Sequence, residues 1–220
     1  MWFRDLIRAV ENKYNRLLTI LIVIYLASPF LVDWSIGSLM VYAGFLSAII
    51  IVVYQIQRSR KTLRFQLSLI CFALLLRVLI YLPSTTRDFD HFCEISSTMI
   101  ILAFFALSSY LILRELTIAD QVTGDIVKGG ICVYFLFGFL WALLYEIVYS
   151  FDITSFNAAS IPLTRSDLTH FSFTTLTTIG YGDISPVSEV ARVLANLEGI
   201  VGVMYPTIFI ARLVSLHNTR

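Results

Sequence analysis

The sequence predicts an all-α membrane protein, and three observations carry that prediction. Of its 220 residues, 58% are hydrophobic and only 14% charged, whereas soluble domains run to about 45–50% apolar and about 25% charged. Apolar runs approaching the ~20 residues that a crossing needs occur six times, at 17–34, 36–56, 63–82, 95–113, 126–150 and 188–213. A seventh run, 168–177, has about half that length and stands between the fifth and sixth, so it reads as a re-entrant segment.

Composition also excludes other classes. A mean hydropathy of +0.81 is more apolar surface than one core of this size can hide from water. Sixteen Lys and Arg stand against 15 Asp and Glu, a net +1, which leaves no basic excess for a nucleic-acid backbone. Cys71, Cys93 and Cys132 are widely spaced, with no metal-ligand pattern or disulfide framework. Cys71 and Cys132 lie in apolar runs and are expected as small buried hydrophobes.

The first element expected is an interfacial helix over 1–16. Trp2, Phe3, Leu6, Ile7, Val10 and Tyr14 recur every three to four residues between Arg4, Asp5, Glu11 and Lys13. Its acids and the absence of a small-residue cleavage site argue against a cleaved leader. A four-helix membrane domain follows over 17–113, then a cytoplasmic linker over 114–125. The two last spans enclose the re-entrant run over 126–213, and 214–220 forms a short tail with no attached sensing domain.

Orientation follows from the cations. Arg4, Arg8, Lys13 and Arg16, then Arg58, Arg60, Lys61 and Arg64, then Arg114, Lys128 and Arg220 fall on one face, against mainly Arg87 and Arg165 on the other. Both termini are therefore expected in the cytoplasm of a multi-pass protein of the cell membrane. The intramembrane charges Arg77 and Glu146 fall towards the outer leaflet, where snorkelling to the interface is the default.

The segment Thr177-Thr178-Ile179-Gly180-Tyr181-Gly182-Asp183 carries the chemistry. Successive backbone carbonyls can replace the water shell of a dehydrated cation if they point the same way into a pore. That requires backbone handedness to alternate, which glycine permits without a Cβ penalty. Gly180 and Gly182, alternating with Ile179 and Tyr181, supply the pattern. Carbonyls of Thr178, Ile179, Gly180 and Tyr181, with the Thr178 hydroxyl, would stack as oxygen rings, while Ile179 and Tyr181 brace them from outside. A preceding short helix, expected over 167–177 and capped by Ser166 or Asp167, would aim its negative C-terminal end at the ion.

These residues resemble the signature of the potassium channel pore family, Thr-x-Gly-Tyr-Gly-Asp between an outer and an inner helix. The resemblance covers about 126–213 and is strongest over 174–186. The stretch from Glu198-Gly199-Ile200-Val201-Gly202 to Arg212-Leu213-Val214 is also similar to small prokaryotic two-helix channels. It implies an outer helix over 126–150, a filter over 178–182, an inner helix over 188–213, and a passive potassium-selective pore that needs no cofactor. K+ would bind at Thr178, Ile179, Gly180 and Tyr181. Since each chain gives one filter strand, it further implies a homotetramer in the lipid bilayer. An inner-helix hinge would fall at Gly202 or Gly199, with Pro206 adding a kink; close helix packing is the other reading of these glycines.

Two positions depart from the family pattern. Many members carry a tryptophan eight residues before the first filter threonine, bonded to the aspartate after the filter; here the pair is His170 and Asp183. A His170–Asp183 contact would make conduction respond to external pH, because histidine titrates near neutrality; a packing role is the plainer alternative. Glu198 lies about ten residues into the last span, where an acid needs a partner or an aqueous path. It shares a helix face with Gly202, so Thr174 or Ser172 is expected to meet it in a hydrogen bond that supports the filter, rather than Glu198 attracting ions from the cavity. The fourth span has no arginine before Arg114, so steep voltage gating is not expected. No zinc pair, Gly-x-Ser-x-Gly or paired intramembrane aspartate suggests an enzyme. A non-conducting membrane subunit that retains the pore fold is the alternative function.

Overall fold

The computed structural model describes residues 13–31, 60–79, 86–159 and 161–218. Within these the chain forms α1 (Lys13–Leu31), α2 (Arg60–Leu79), α3 (Arg87–Ile118) and α4 (Gly124–Phe151). A strand β1 (Phe156–Ala158), helix α5 (Arg165–Leu176), strand β2 (Ile184–Pro186) and helix α6 (Glu189–Asn218) follow. Most of the expected interfacial helix and the whole second span lie outside the described residues.

Among the described residues, three helices are long and apolar enough to cross a membrane: α3 over Asp88–Ile118, all of α4, and α6 over Glu189–Leu216. Apolar stretches within α1 and α2 are shorter, Tyr14–Val23 and Leu67–Leu79. Helix α3 is longer than its apolar run at both ends. Its 32 residues rise about 1.5 Å each, more than the ~30 Å hydrocarbon core, so Asp88, Asp90, Arg114 and Glu115 extend the same helix beyond the lipid-compatible stretch. The expected linker over 114–125 therefore shrinks to 119–123, and Thr123 caps α4 by accepting from the Ile126 N–H at 3.4 Å.

Helices α3 and α4 form the central pair, with α1 packed on α4 and α2 on α3. Tyr14, Leu17 and Leu21 of α1, Phe104 and Ile112 of α3, and Cys132 and Leu136 of α4 are buried in one apolar core. The Tyr14 hydroxyl donates to Glu115 at 2.8 Å, so the buried ring keeps its polar atom satisfied. Cys132 is buried, whereas Cys71 lies exposed on α2, because the face of α2 turned to α3 is the one holding Ala73 and Leu76.

A second core joins α4, α5 and α6 through Trp141, Tyr145, Leu168, Phe171, Leu176 and Ala191. The loops above it are tied by an antiparallel ribbon, an addition to the all-α expectation, in which Phe156 faces Pro186 and Ala158 faces Ile184. Phe156 and Ile184 bury their side chains below, and the Val187 N–H donates to the Ser155 carbonyl at 2.8 Å. The chain leaving α4 is thus pinned to the chain leaving the filter. At the C-terminus of α4, Asp152 accepts from the side chain and N–H of Thr154 at 2.6 and 2.9 Å, and these bonds hold its carboxylate below the usual range. At the far end of α6, Arg212 donates to the Thr117 and Ala119 carbonyls, where the C-terminus of α3 leaves acceptors unpaired.

Candidate functional site

The short helix α5 forms because a capping box starts it. Thr164 accepts from the Asp167 N–H at 3.3 Å, while the Asp167 carboxylate receives the Thr164 N–H at 2.7 Å. The cap is Thr164 and not Ser166 or Asp167, and the helix spans 165–176: Asp167 takes part as the third helical residue, which moves the start two residues earlier. Three turns later the helix ends where the filter segment begins. The Thr174 carbonyl receives both the Ile179 N–H, at 2.9 Å, and the Gly180 N–H, at 3.2 Å. Thr174 thus holds the 178–182 segment through its backbone; its hydroxyl turns back to the Phe171 carbonyl at 3.0 Å.

The backbone from 178 to 182 alternates. Thr178, Gly180 and Gly182 have φ of 60°, 57° and 79°, whereas Ile179 and Tyr181 between them do not enter the positive region. Glycine adopts that conformation freely. Thr178 does so at a steric cost that the donor bonds to the Thr174 and Thr175 carbonyls help to hold. The glycine spacing signalled two of these three positions; nothing in the residue type signalled the threonine.

The outer end of the segment is braced. The His170 ring stacks on the Tyr181 ring at 5.9 Å with 3° between planes, and His170 Nε2 lies 3.0 Å from Asp183 Oδ2. One histidine therefore touches both the filter tyrosine and the aspartate beyond it. Below, the Tyr134 hydroxyl of α4 donates to the Leu176 carbonyl at 2.9 Å and satisfies an acceptor at the C-terminus of α5.

Glu198 is completely buried. Its two oxygens lie 2.5 Å from the Ser172 hydroxyl and 2.5 Å from the Tyr145 hydroxyl, so α6, α5 and α4 meet at this carboxyl group. Ser172, and not the Thr174 side chain, is the partner on α5. One turn on, Gly202 abuts the end of the pore helix, where an added Cβ would overlap the Leu176 carbonyl oxygen and sit 2.8 Å from its carbon. Close packing is what the geometry gives this glycine. Gly199 borders the open side of α6, with nothing within 4 Å of an added Cβ, and Pro206 lies inside the unbroken helix.

Arg77 and Glu146 do not snorkel. Their side chains are only 11% and 13% exposed, and Arg77 donates to Glu146 at 3.4 Å and to Thr98 of α3 at 3.0 Å. Arg165, the first residue of α5, grips the same carboxylate through Nε at 2.7 Å and through Nη2. Glu146 thereby ties the start of α5 to α2 and α3. Two intramembrane charges of opposite sign were the available hint of this pairing; Arg165, 19 residues from Glu146, offered none.

No group of three or more His, Cys, Asp or Glu residues placed to hold a metal ion occurs among the described residues. Residues 129–217 match the family model described as ion channel. Searches of curated proteins and of solved structures each return no match. Over residues 129–217, then, the chain is similar to the ion channel family, and through the residues of its 174–186 stretch to potassium channel pores.

Proposed function

We propose that the protein is a passive potassium channel in which four copies place their 178–182 segments around one axis. The observation that carries this reading is the alternation of positive φ at Thr178, Gly180 and Gly182 with ordinary φ at Ile179 and Tyr181. Alternating handedness turns successive carbonyls to one side, as a dehydrated cation requires. The permeant ion is cargo held by backbone oxygens of Thr178, Ile179, Gly180 and Tyr181, and no cofactor enters the process.

Exposure favours the tetramer. Almost none of the most apolar window of α6 is buried within one chain, against close to half for α4. Ile179, Tyr181, Leu197, Ile200, Val203 and Met204 all lie exposed. Such a face on the innermost helix suits neighbouring copies and a central cavity. Six crossings with both termini in the cytoplasm, and opening that is not steeply voltage-dependent, complete the reading. Bending of α6 near Gly199, Gly202 or Pro206 would open and close the inner end.

The deciding experiment is current through the purified protein in a bilayer with potassium on one side and sodium on the other. A reversal potential near the potassium equilibrium value is expected. A value near zero overturns the selectivity, and an intact tetramer without current would point to the non-conducting subunit.

A further inference from the structure

Three oxygen–oxygen contacts run in series behind the pore helix. The Tyr145 hydroxyl is 2.5 Å from one oxygen of Glu198, the other oxygen of Glu198 is 2.5 Å from the Ser172 hydroxyl, and that hydroxyl is 2.7 Å from the Gly138 carbonyl. Each contact at such a distance needs one proton between its oxygens. Tyrosine and serine carry one hydroxyl proton each, and a carbonyl carries none. Three contacts thus require three protons, and the two hydroxyls bring only two.

We infer that Glu198 is a neutral carboxylic acid whose own proton completes the series: Tyr145 donates to Glu198, Glu198 donates to Ser172, and Ser172 donates to Gly138. An ionised Glu198 would draw the Ser172 proton to itself and leave two bare oxygens, those of Ser172 and Gly138, facing each other at 2.7 Å. The surroundings agree. Tyr145, Ser172 and Glu198 are all fully buried within a single chain, so neither water nor a neighbouring copy reaches the carboxyl group.

No cation faces it. The titratable group bonded to it is Tyr145, while the Tyr134 hydroxyl on α4 is engaged with the Leu176 carbonyl. On α5, His170 and Asp167 are engaged with Asp183 and Thr164. Between Arg192 and Arg212, α6 itself carries no other charged residue, and those two arginines donate to backbone carbonyls at Pro186 and at the end of α3. A buried carboxylate without a cation is strongly disfavoured, whereas the acid form satisfies every oxygen. Glu198 is accordingly a positioning residue: as a neutral acid it links α6 through Ser172 to the α4 backbone and holds the pore helix between them. The inference stands apart from which ion passes.

The test is infrared spectroscopy of the full-length protein in detergent at neutral pH, with the difference taken between wild type and Glu198→Gln. Loss of a protonated-carboxyl C=O band is expected; loss of carboxylate bands instead overturns the inference. Glutamine can reproduce the pattern, its amide donating to Ser172 and its carbonyl accepting from Tyr145, so E198Q should melt close to wild type and E198A well below it. An E198Q protein that melts as low as E198A counts against the proton count. If either variant fails to fold, Ser172→Ala alone decides: the acid band must shift in frequency when its acceptor is removed, and an unmoved spectrum overturns the inference.

Discussion

Glu146 and Glu198, the first largely and the second fully enclosed, are acids on the helices that flank α5, and the chain balances them by opposite means. Glu146, one turn from the outer end of α4, is held by two guanidinium groups and a threonine contributed by three other helices. Glu198, ten residues into α6, meets two hydroxyls and no cation. Near the polar rim, long cationic side chains can reach an acid from several helices. Deeper in, where a second charge would itself need solvation, hydroxyls are the affordable partners. The two sites also differ in what they join. The Glu146 site ties α2 and α3 to the start of the pore helix, whereas the Glu198 site lies wholly within the pore-forming helices.

The difference should be largest when each acid is removed. Glu146→Ala takes the shared carboxylate from Arg77 and Arg165, and loss of one partner from an ion pair costs at most about 3–5 kcal/mol when the pair is buried, and less for these partly exposed side chains. Unfolding of the detergent-solubilised protein should show that loss, and a change below about 1 kcal/mol would mean that water enters the site. Gly202→Ala acts on the other region. Its new Cβ drives α6 away from Leu176, at about 1–3 kcal/mol by the usual cost of overpacking. It should disturb the Glu198 carboxyl band but leave the Glu146 site intact, and an unchanged band would show that the two helices separate elsewhere.

Smaller effects sharpen the same contrast. Tyr145→Phe removes one donor from Glu198 and should cost about 1–2 kcal/mol in unfolding, well below the Glu146 loss. Equal losses would erase the distinction between the two sites. Smallest in stability, at about 0–1 kcal/mol for an exposed pair, is His170→Gln at the filter mouth. Its effect is expected in conduction instead: glutamine loses the ring that stacks on Tyr181, and single-channel current should fall in H170Q. An unchanged current in H170Q would show that the His170 contacts do not bear on conduction.

Much of this was legible in the chain. Helices α4 and α6 announce themselves because lipid imposes a length and an apolar composition on any crossing, and the 178–182 segment because backbone alternation demands glycine at fixed spacing. The His170–Asp183 contact was implied by the resemblance to potassium channel pores, and Ser172 was one of the two partners that the helix face shared by Glu198 and Gly202 offered. What escaped is instructive. The cap was expected at Ser166 or Asp167, two or three residues beyond Thr164, since Asp167 suits either the cap or the third helical position. Cys71 was expected inside because an apolar run does not say which of its faces meets a neighbour. Arg77 and Glu146 were assigned to snorkelling because each was weighed alone.

The sequence by itself determined where the long described helices form, which short segment alternates its backbone handedness, and that the chain belongs in a membrane, since all three follow from local spacing and composition. Only the tertiary structure decided how the buried charges are met. Arg165 reaches Glu146 across 19 residues, Arg77 reaches it across 69, and Tyr145 reaches Glu198 across 53. Pairings at such separations have no periodicity to read, because they are fixed by which helix faces come together and by the need to leave no buried polar atom without a partner.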